Sequence, residues 1–82
     1  MKPAPTDPLN PARQDLPVVI ANGQPIESRL PCSIEQFLLA QNLLPRSVVV
    51  EHNGEAVAPS EFSQRQLHKG DRLEIVKIVA GG

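Results

Sequence analysis

Tryptophan and tyrosine are missing from the 82 residues, and Phe37 and Phe62 are the only aromatics. A chain so poor in flat rings has no platform on which bases could stack. Charge is equally unhelpful to a polyanion. Eight Lys and Arg are scattered among nine Asp and Glu, for a net charge of −1, and no basic patch or basic helix forms. These two shortages exclude nucleic-acid binding. One thiol, Cys32, cannot close an internal disulfide, which fits a reducing compartment, and a cytoplasmic location is expected. No apolar run approaches the ~18 residues that a membrane helix requires, and the first thirty residues lack the apolar core of a signal peptide. Also missing are a Gly-rich phosphate loop, Gly-x-Ser-x-Gly and His-x-x-x-His, so no side-chain constellation for catalysis or metal binding is visible.

Proline is abundant and uneven. Five of the nine prolines (Pro3, Pro5, Pro8, Pro11 and Pro17) fall in the first seventeen residues, among few apolar side chains. Such a stretch buries too little to offset the entropy of ordering, so residues 1–16 are expected to be a flexible, partly polyproline-like arm. The pattern changes at Val18. "VVIA" is β-branched, "NGQP" is a turn and "IESRL" follows, which predicts a hairpin of Val18–Ala21 and Ile26–Leu30, closed by Pro31.

Ser33 and Gln36 have the spacing of a capping box, in which side chain and backbone bond reciprocally at a helix start. Ile34, Phe37, Leu38 and Gln41 then share one helical face, predicting a short helix over Ile34–Gln41, ended by Asn42 and barred from continuing by Pro45. A third strand is read at Ser47–His52 and a short one at Ala56–Ala58. Ser60–Leu67 is a polar connection anchored inward by Phe62 and Leu67, and the longest strand is Arg72–Val79. On it Leu73 and Ile75 share one face, and Glu74, Val76 and Ile78 the other. A helical crossover places strands parallel. The order therefore predicts an α+β domain over 17–79: a mixed sheet of four to five strands with one main helix across one face, the β-grasp arrangement.

Few side chains in this frame invite chemistry. His52 and His68 lie sixteen residues apart at strand or turn ends and read as surface histidines. Glu51 and Glu55 flank a turn and read as solvated. Cys32 precedes the helix, where a helix N-terminus can lower a thiol's pKa, although a small buried hydrophobe is the commoner fate of a free cysteine.

The last three residues, 80–82, differ because they need no side chain to act. A terminal carboxylate is a poor electrophile. Joined to adenylate from ATP it becomes an acyl donor, and a sulfur nucleophile can displace AMP to leave a thiocarboxylate. Glycine suits this role, since without Cβ it passes a narrow channel and leaves the acyl carbon unshielded. At ~3.3 Å per extended residue, the segment from Val79 to Gly82 would reach about 13 Å from the sheet. A ragged end that touches nothing is the plain alternative.

Residues 18–82 resemble the sulfur-carrier proteins of thiamin biosynthesis, which are ubiquitin-like β-grasp domains. The likeness lies in the "NG" after the first strand, "SIEQFL" opening the helix, "VVVEHNGEAV", "KGDRLEIV" and the terminal "VAGG". The resemblance implies a carrier, not an enzyme, with no bound cofactor of its own. Gly82 would be adenylated by a ubiquitin-activating-type adenylyltransferase that uses ATP. It would then receive sulfur that a cysteine desulfurase draws from cysteine, and donate it to thiazole synthase. Gly81 and Ala80 would thread into the partner's active site. Two features depart from the pattern: Gln41 stands where an apolar residue is usual, and the N-terminal arm is not a family feature. Cys32 matches no functional residue of the family.

Val76 and Ile78, expected on the sheet face away from the helix and near the tail, are candidates for partner docking. Three rivals share the sequence features: the small subunit of molybdopterin synthase, a ubiquitin-like protein modifier, and a plain interaction module in which the glycines are incidental.

Overall fold

The computed structural model describes residues 16–79. The expected arm, save its last residue, and the expected tail of Ala80, Gly81 and Gly82 lie outside the described residues. Five strands make the main sheet: β1 (Val18–Ala21), β2 (Gln24–Glu27), β4 (Val48–His52), β5 (Glu55–Val57) and β7 (Arg72–Lys77), in the order β2-β1-β7-β4-β5. Strand β1 runs parallel to β7, and the other neighbours are antiparallel. A helix, α1 (Ile34–Ala40), packs on one face. The architecture is the expected α+β β-grasp, with β7 at the centre of its sheet.

Period-two burial decides which face turns inward. In β4, Val48, Val50 and His52 are buried while Val49 and Glu51 are exposed. Val19, Ala21 and Leu73 meet them from β1 and β7, and Ile34, Phe37 and Leu38 close the core from α1. Phe62 and Leu67, the expected anchors, are both buried there. Burying a side chain of this kind contributes about 1.5–3 kcal/mol.

The helix starts where the capping box places it. Ser33 Oγ accepts from the Gln36 amide at 3.0 Å, and the Gln36 side chain accepts from the Ser33 amide at 2.9 Å. It ends one residue earlier than expected, at Ala40, with Gln41 as C-cap and only partly buried. Asn42 adopts φ 63°, and the amides of Asn42 and Leu43 return to the carbonyls of Leu39 and Leu38. These bonds are the Schellman pattern, in which a left-handed residue turns the chain and satisfies the last carbonyls.

Several boundaries differ from the expected ones, and the turns explain most of them. Asn22 (φ 51°) and Gly23 (φ 81°) form a two-residue turn, so the second strand is Gln24–Glu27 rather than Ile26–Leu30. Pro25 is tolerated because β2 is an edge and its ring nitrogen sits at a position that does not bond to β1. The same turn recurs at Asn53-Gly54, which moves β5 back to Glu55–Val57 from the expected Ala56–Ala58. A 3₁₀ turn over Pro45–Ser47 delays β4 to Val48. Strand β7 stops at Lys77, not Val79, since β1 has ended beside Leu73 and β4 begins opposite Lys77. A second, two-stranded sheet was not expected: β3 (Cys32–Ser33) pairs with β6 (Gln66–Leu67) inside the polar connection.

Candidate functional site at the tail-bearing end of the sheet

The last hydrogen bond of β7's path is the Ile78 amide donating to the Ser47 carbonyl at 2.8 Å. Val79 follows, 85% exposed, and the chain leaves the sheet there. Apolar side chains surround this exit. Val76 (62% exposed) stands opposite Val49 (54% exposed) on the face turned away from α1, and Ile78 is 55% exposed. On the helix side Leu44 is also exposed, beside a groove of about 240 Å³ that Leu43, Leu44, Ser47 and Ile78 help to line. Large aliphatics gathered around one chain exit, rather than scattered singly, have the character of a docking surface. One step along the same face Glu51 and Glu74, both exposed, stand directly opposite each other. Like charges so placed repel within the isolated sheet, so the pair suits a cationic neighbour.

The opposite end of the sheet holds a polar network that the sequence reading missed. His52 is 6% exposed, not a surface histidine, because it continues the inward alternation of Val48 and Val50. Arg65 Nε–H donates to its Nδ1 at 3.0 Å, so the ring proton belongs on Nε2, which donates to Asp71 Oδ2 at 2.8 Å. Asp71 also accepts from the His68 amide at 2.9 Å and, weakly, from Asn53. Burial pushes the Asp71 carboxyl up. The bonds from His52, His68 and Asn53 outweigh that push and leave the carboxyl below its ordinary range. Arg65 in turn pairs with Glu55 and, at 3.6 Å, with Glu61. Glu55 is therefore not merely solvated: its hydrogen bond and charge contact with Arg65 hold its carboxyl low. No group here is left unsatisfied, and the arrangement fastens the β4–β5 turn to the segment before β6 and the turn before β7.

Cys32 is half-buried in β3, and burial raises its pKa, opposite to the activation that a helix N-terminus would bring. His68 is exposed. Among the described residues no group of three or more His, Cys, Asp or Glu side chains is placed to hold a metal ion, and no helix is long and apolar enough to cross a membrane.

A short helix laid across a mixed five-stranded sheet, whose central strand delivers the chain to an apolar rim, defines a ubiquitin-like β-grasp domain. The crystal structure of the thiamine biosynthesis protein ThiS from Geobacter metallireducens superimposes with a TM-score of 0.67 at 25% identity, covering 79% of this chain and 99% of that one. The chain belongs to the ThiS family, whose sequence model matches residues 19–82. It is also 33% identical, over 64 residues, to part of a thiazole synthase from Paramagnetospirillum magneticum. That match takes in 78% of this chain and 20% of the other, so the chain spans about a fifth of the length of the curated relative it matches.

Proposed function

We propose that this protein carries sulfur for thiazole formation in thiamin biosynthesis, using the carboxyl group of Gly82. The observation that carries the reading is the family match, which runs through both Gly81 and Gly82. An adenylyltransferase joins the Gly82 carboxylate to AMP from ATP and releases pyrophosphate. A persulfide that a desulfurase forms from cysteine attacks the acyl carbon through its outer sulfur, and AMP leaves. A thiol then cleaves the acyl disulfide so formed, releasing the thiocarboxylate and forming a disulfide. The resulting thiocarboxylate is the donor that thiazole synthase consumes. That a protein called thiazole synthase contains a stretch similar to this chain supports such a partnership, because domains joined in one polypeptide act on a common task.

In this reading residues 17–79 are a rigid handle, residues 80–82 the working arm, and residues 1–16 a separate N-terminal extension. Gly81 and Ala80 thread into the partner's pocket, where a missing or small Cβ lets the backbone approach closely. Val76 and Ile78 rest against the partner's surface beside that pocket. The chain performs no catalysis of its own, and the need for ATP and cysteine-derived sulfur places the work in the cytoplasm.

The test incubates the purified chain with ATP, the activating enzyme and a sulfur source, then weighs the C-terminal peptide. Exchange of one oxygen for sulfur at Gly82 is expected. A chain without Gly82 that still supports thiazole formation at the full rate refutes the proposal.

A further inference from the structure

Strand β7 has β4 along its whole length on one side but is covered only part of the way on the other. Its even-numbered residues bond to β4, ending with the Ile78 amide on Ser47. Its odd-numbered residues turn toward β1, which ends at Ala21 beside Leu73. The next step is filled by a side chain acting as a strand: Asn22 Oδ1 accepts from the Ile75 amide at 2.7 Å, and Asn22 Nδ2 donates to the Ile75 carbonyl at 3.0 Å. Beyond Asn22 nothing among the described residues meets the amide and carbonyl of Lys77 or Val79. Alternation along the strand aims the Lys77 pair at the gap where β1 would have continued.

That gap has a floor. A groove of about 460 Å³ opens beside the unpaired edge, lined by Ile26, Phe37, Leu43 and Ile75, with Gln24 and Gln41 also on its wall. It lies on the inner side of the sheet, against α1, and is distinct from the outer face that carries Val49 and Val76. Open backbone bonds beside an apolar trough of side-chain size are what an added strand uses: the main chain supplies affinity, and every second side chain enters the trough.

We infer that the open edge beyond Asn22, formed by Lys77 at the end of β7 and the two residues after it, receives an extended segment of the protein that takes the tail, and that this segment places one large aliphatic or aromatic side chain in the groove. The identity of that protein rests on the function proposed above; the strand pairing itself does not. A second copy of this chain is a poor occupant, because two edges this short offer each other at most a few backbone bonds, too little to hold a dimer. The chain's own N-terminal residues are no better. They join β1 at the end remote from Ala21, and Pro3, Pro5, Pro8 and Pro11 lack the amides that an added strand must offer. The partner's segment remains, and the edge adjoins the exit of the tail.

The experiment uses a chain lacking only Gly82, bound to the thiazole synthase of the same cell, so that binding is read apart from sulfur transfer. Amide exchange is followed residue by residue in the free and bound chain. The Lys77 amide should exchange at least tenfold more slowly when bound. Lys77→Pro removes that N–H without touching the bonds to β4, whereas Lys77→Ala keeps it. The proline variant should bind on the order of tenfold more weakly than the alanine variant, the effect of one or two backbone bonds. Lys77 exchange as fast in the complex as in the free chain overturns the inference, and so does equal binding by the two variants. Protection of Lys77 that grows with the chain's own concentration overturns it in favour of self-pairing. Absence of any complex overturns the partner as well, whereas sulfur loading at Gly82 is settled separately by mass.

Discussion

The two ends of the main sheet are built on opposite plans. At the end where β7 begins, His52, Asp71, Arg65, Glu55 and Asn53 bond to one another and to nearby backbone, so turns distant in sequence are fastened together. At the end where β7 finishes, among the described residues only Ser47 and the Asn22 side chain reach past the neighbouring strands, and valine, isoleucine and leucine face water. The first end is satisfied without a partner. The second carries open backbone and exposed apolar surface, both of which improve on being covered. On the function proposed above, stability and recognition are divided along one strand, which lets the docking end keep features that a fold optimised for stability alone would bury.

Substitutions at the two ends should separate those roles. The largest effect is expected beneath the fastened end. Phe62→Ala empties a position that is 2% exposed and should cost about 3–5 kcal/mol, read as a fall in the denaturant midpoint. Asp71→Asn should cost about 1–3 kcal/mol at neutral pH, since it weakens a charge-assisted acceptor. Its sign with pH is fixed by the lowered carboxyl. The stabilisation is complete above the ordinary aspartate pKa of about 3.9 and is lost as pH falls through the lower folded value. The gap between wild type and Asp71→Asn should therefore be full at pH 7 and close in the acid range below about 4. A gap that persists unchanged into that range would break the assignment.

At the other end the effects on folding shrink. Asn22→Gly keeps the left-handed turn but removes both bonds to Ile75, and should cost about 1 kcal/mol. Asn22→Ala should cost roughly 1 kcal/mol more, because φ 51° strains a residue with Cβ. Thermal melts of the two variants side by side check this difference. Smallest of all is the double change Val49→Thr with Val76→Thr, which preserves β-branching on an exposed face and should move stability by no more than about 0.5 kcal/mol. Under the proposed function its binding to thiazole synthase, measured by calorimetry, should nevertheless weaken on the order of tenfold. A large loss of stability with unchanged binding would invert the comparison.

Much of this arrangement was legible in the sequence because local chemistry agreed with tertiary need. The β-branched runs of β1, β4 and β7, the reciprocal Ser33–Gln36 cap and the Asn42 helix end act over a few residues and survive in the fold. Strand boundaries were less legible, since "NGQP" permits both a two-residue and a longer turn, and backbone geometry at Asn22 and Gly23 decides between them. The fastened end was missed for a different reason. Val48 and Val50 set a period that already assigned His52 to the core, but its partners Asp71 and Arg65 come from segments that no local pattern links to it. The β3–β6 pair, two residues a side, leaves almost no periodic trace. Among the candidate site residues, Val76 and Ile78 are exposed near the chain exit as alternation suggested. The free edge beside them depends on where β1 stops, which only the folded register reveals.

The central position of β7 also has a mechanical consequence. A protein that draws the chain's end into a deep pocket pulls along this strand, which is gripped laterally by β4 on one side and by β1 and Asn22 on the other. Such a load falls on many hydrogen bonds at once, in shear, instead of peeling them off one by one. Tension applied at the end should leave the domain folded up to forces that would unzip a terminal edge strand.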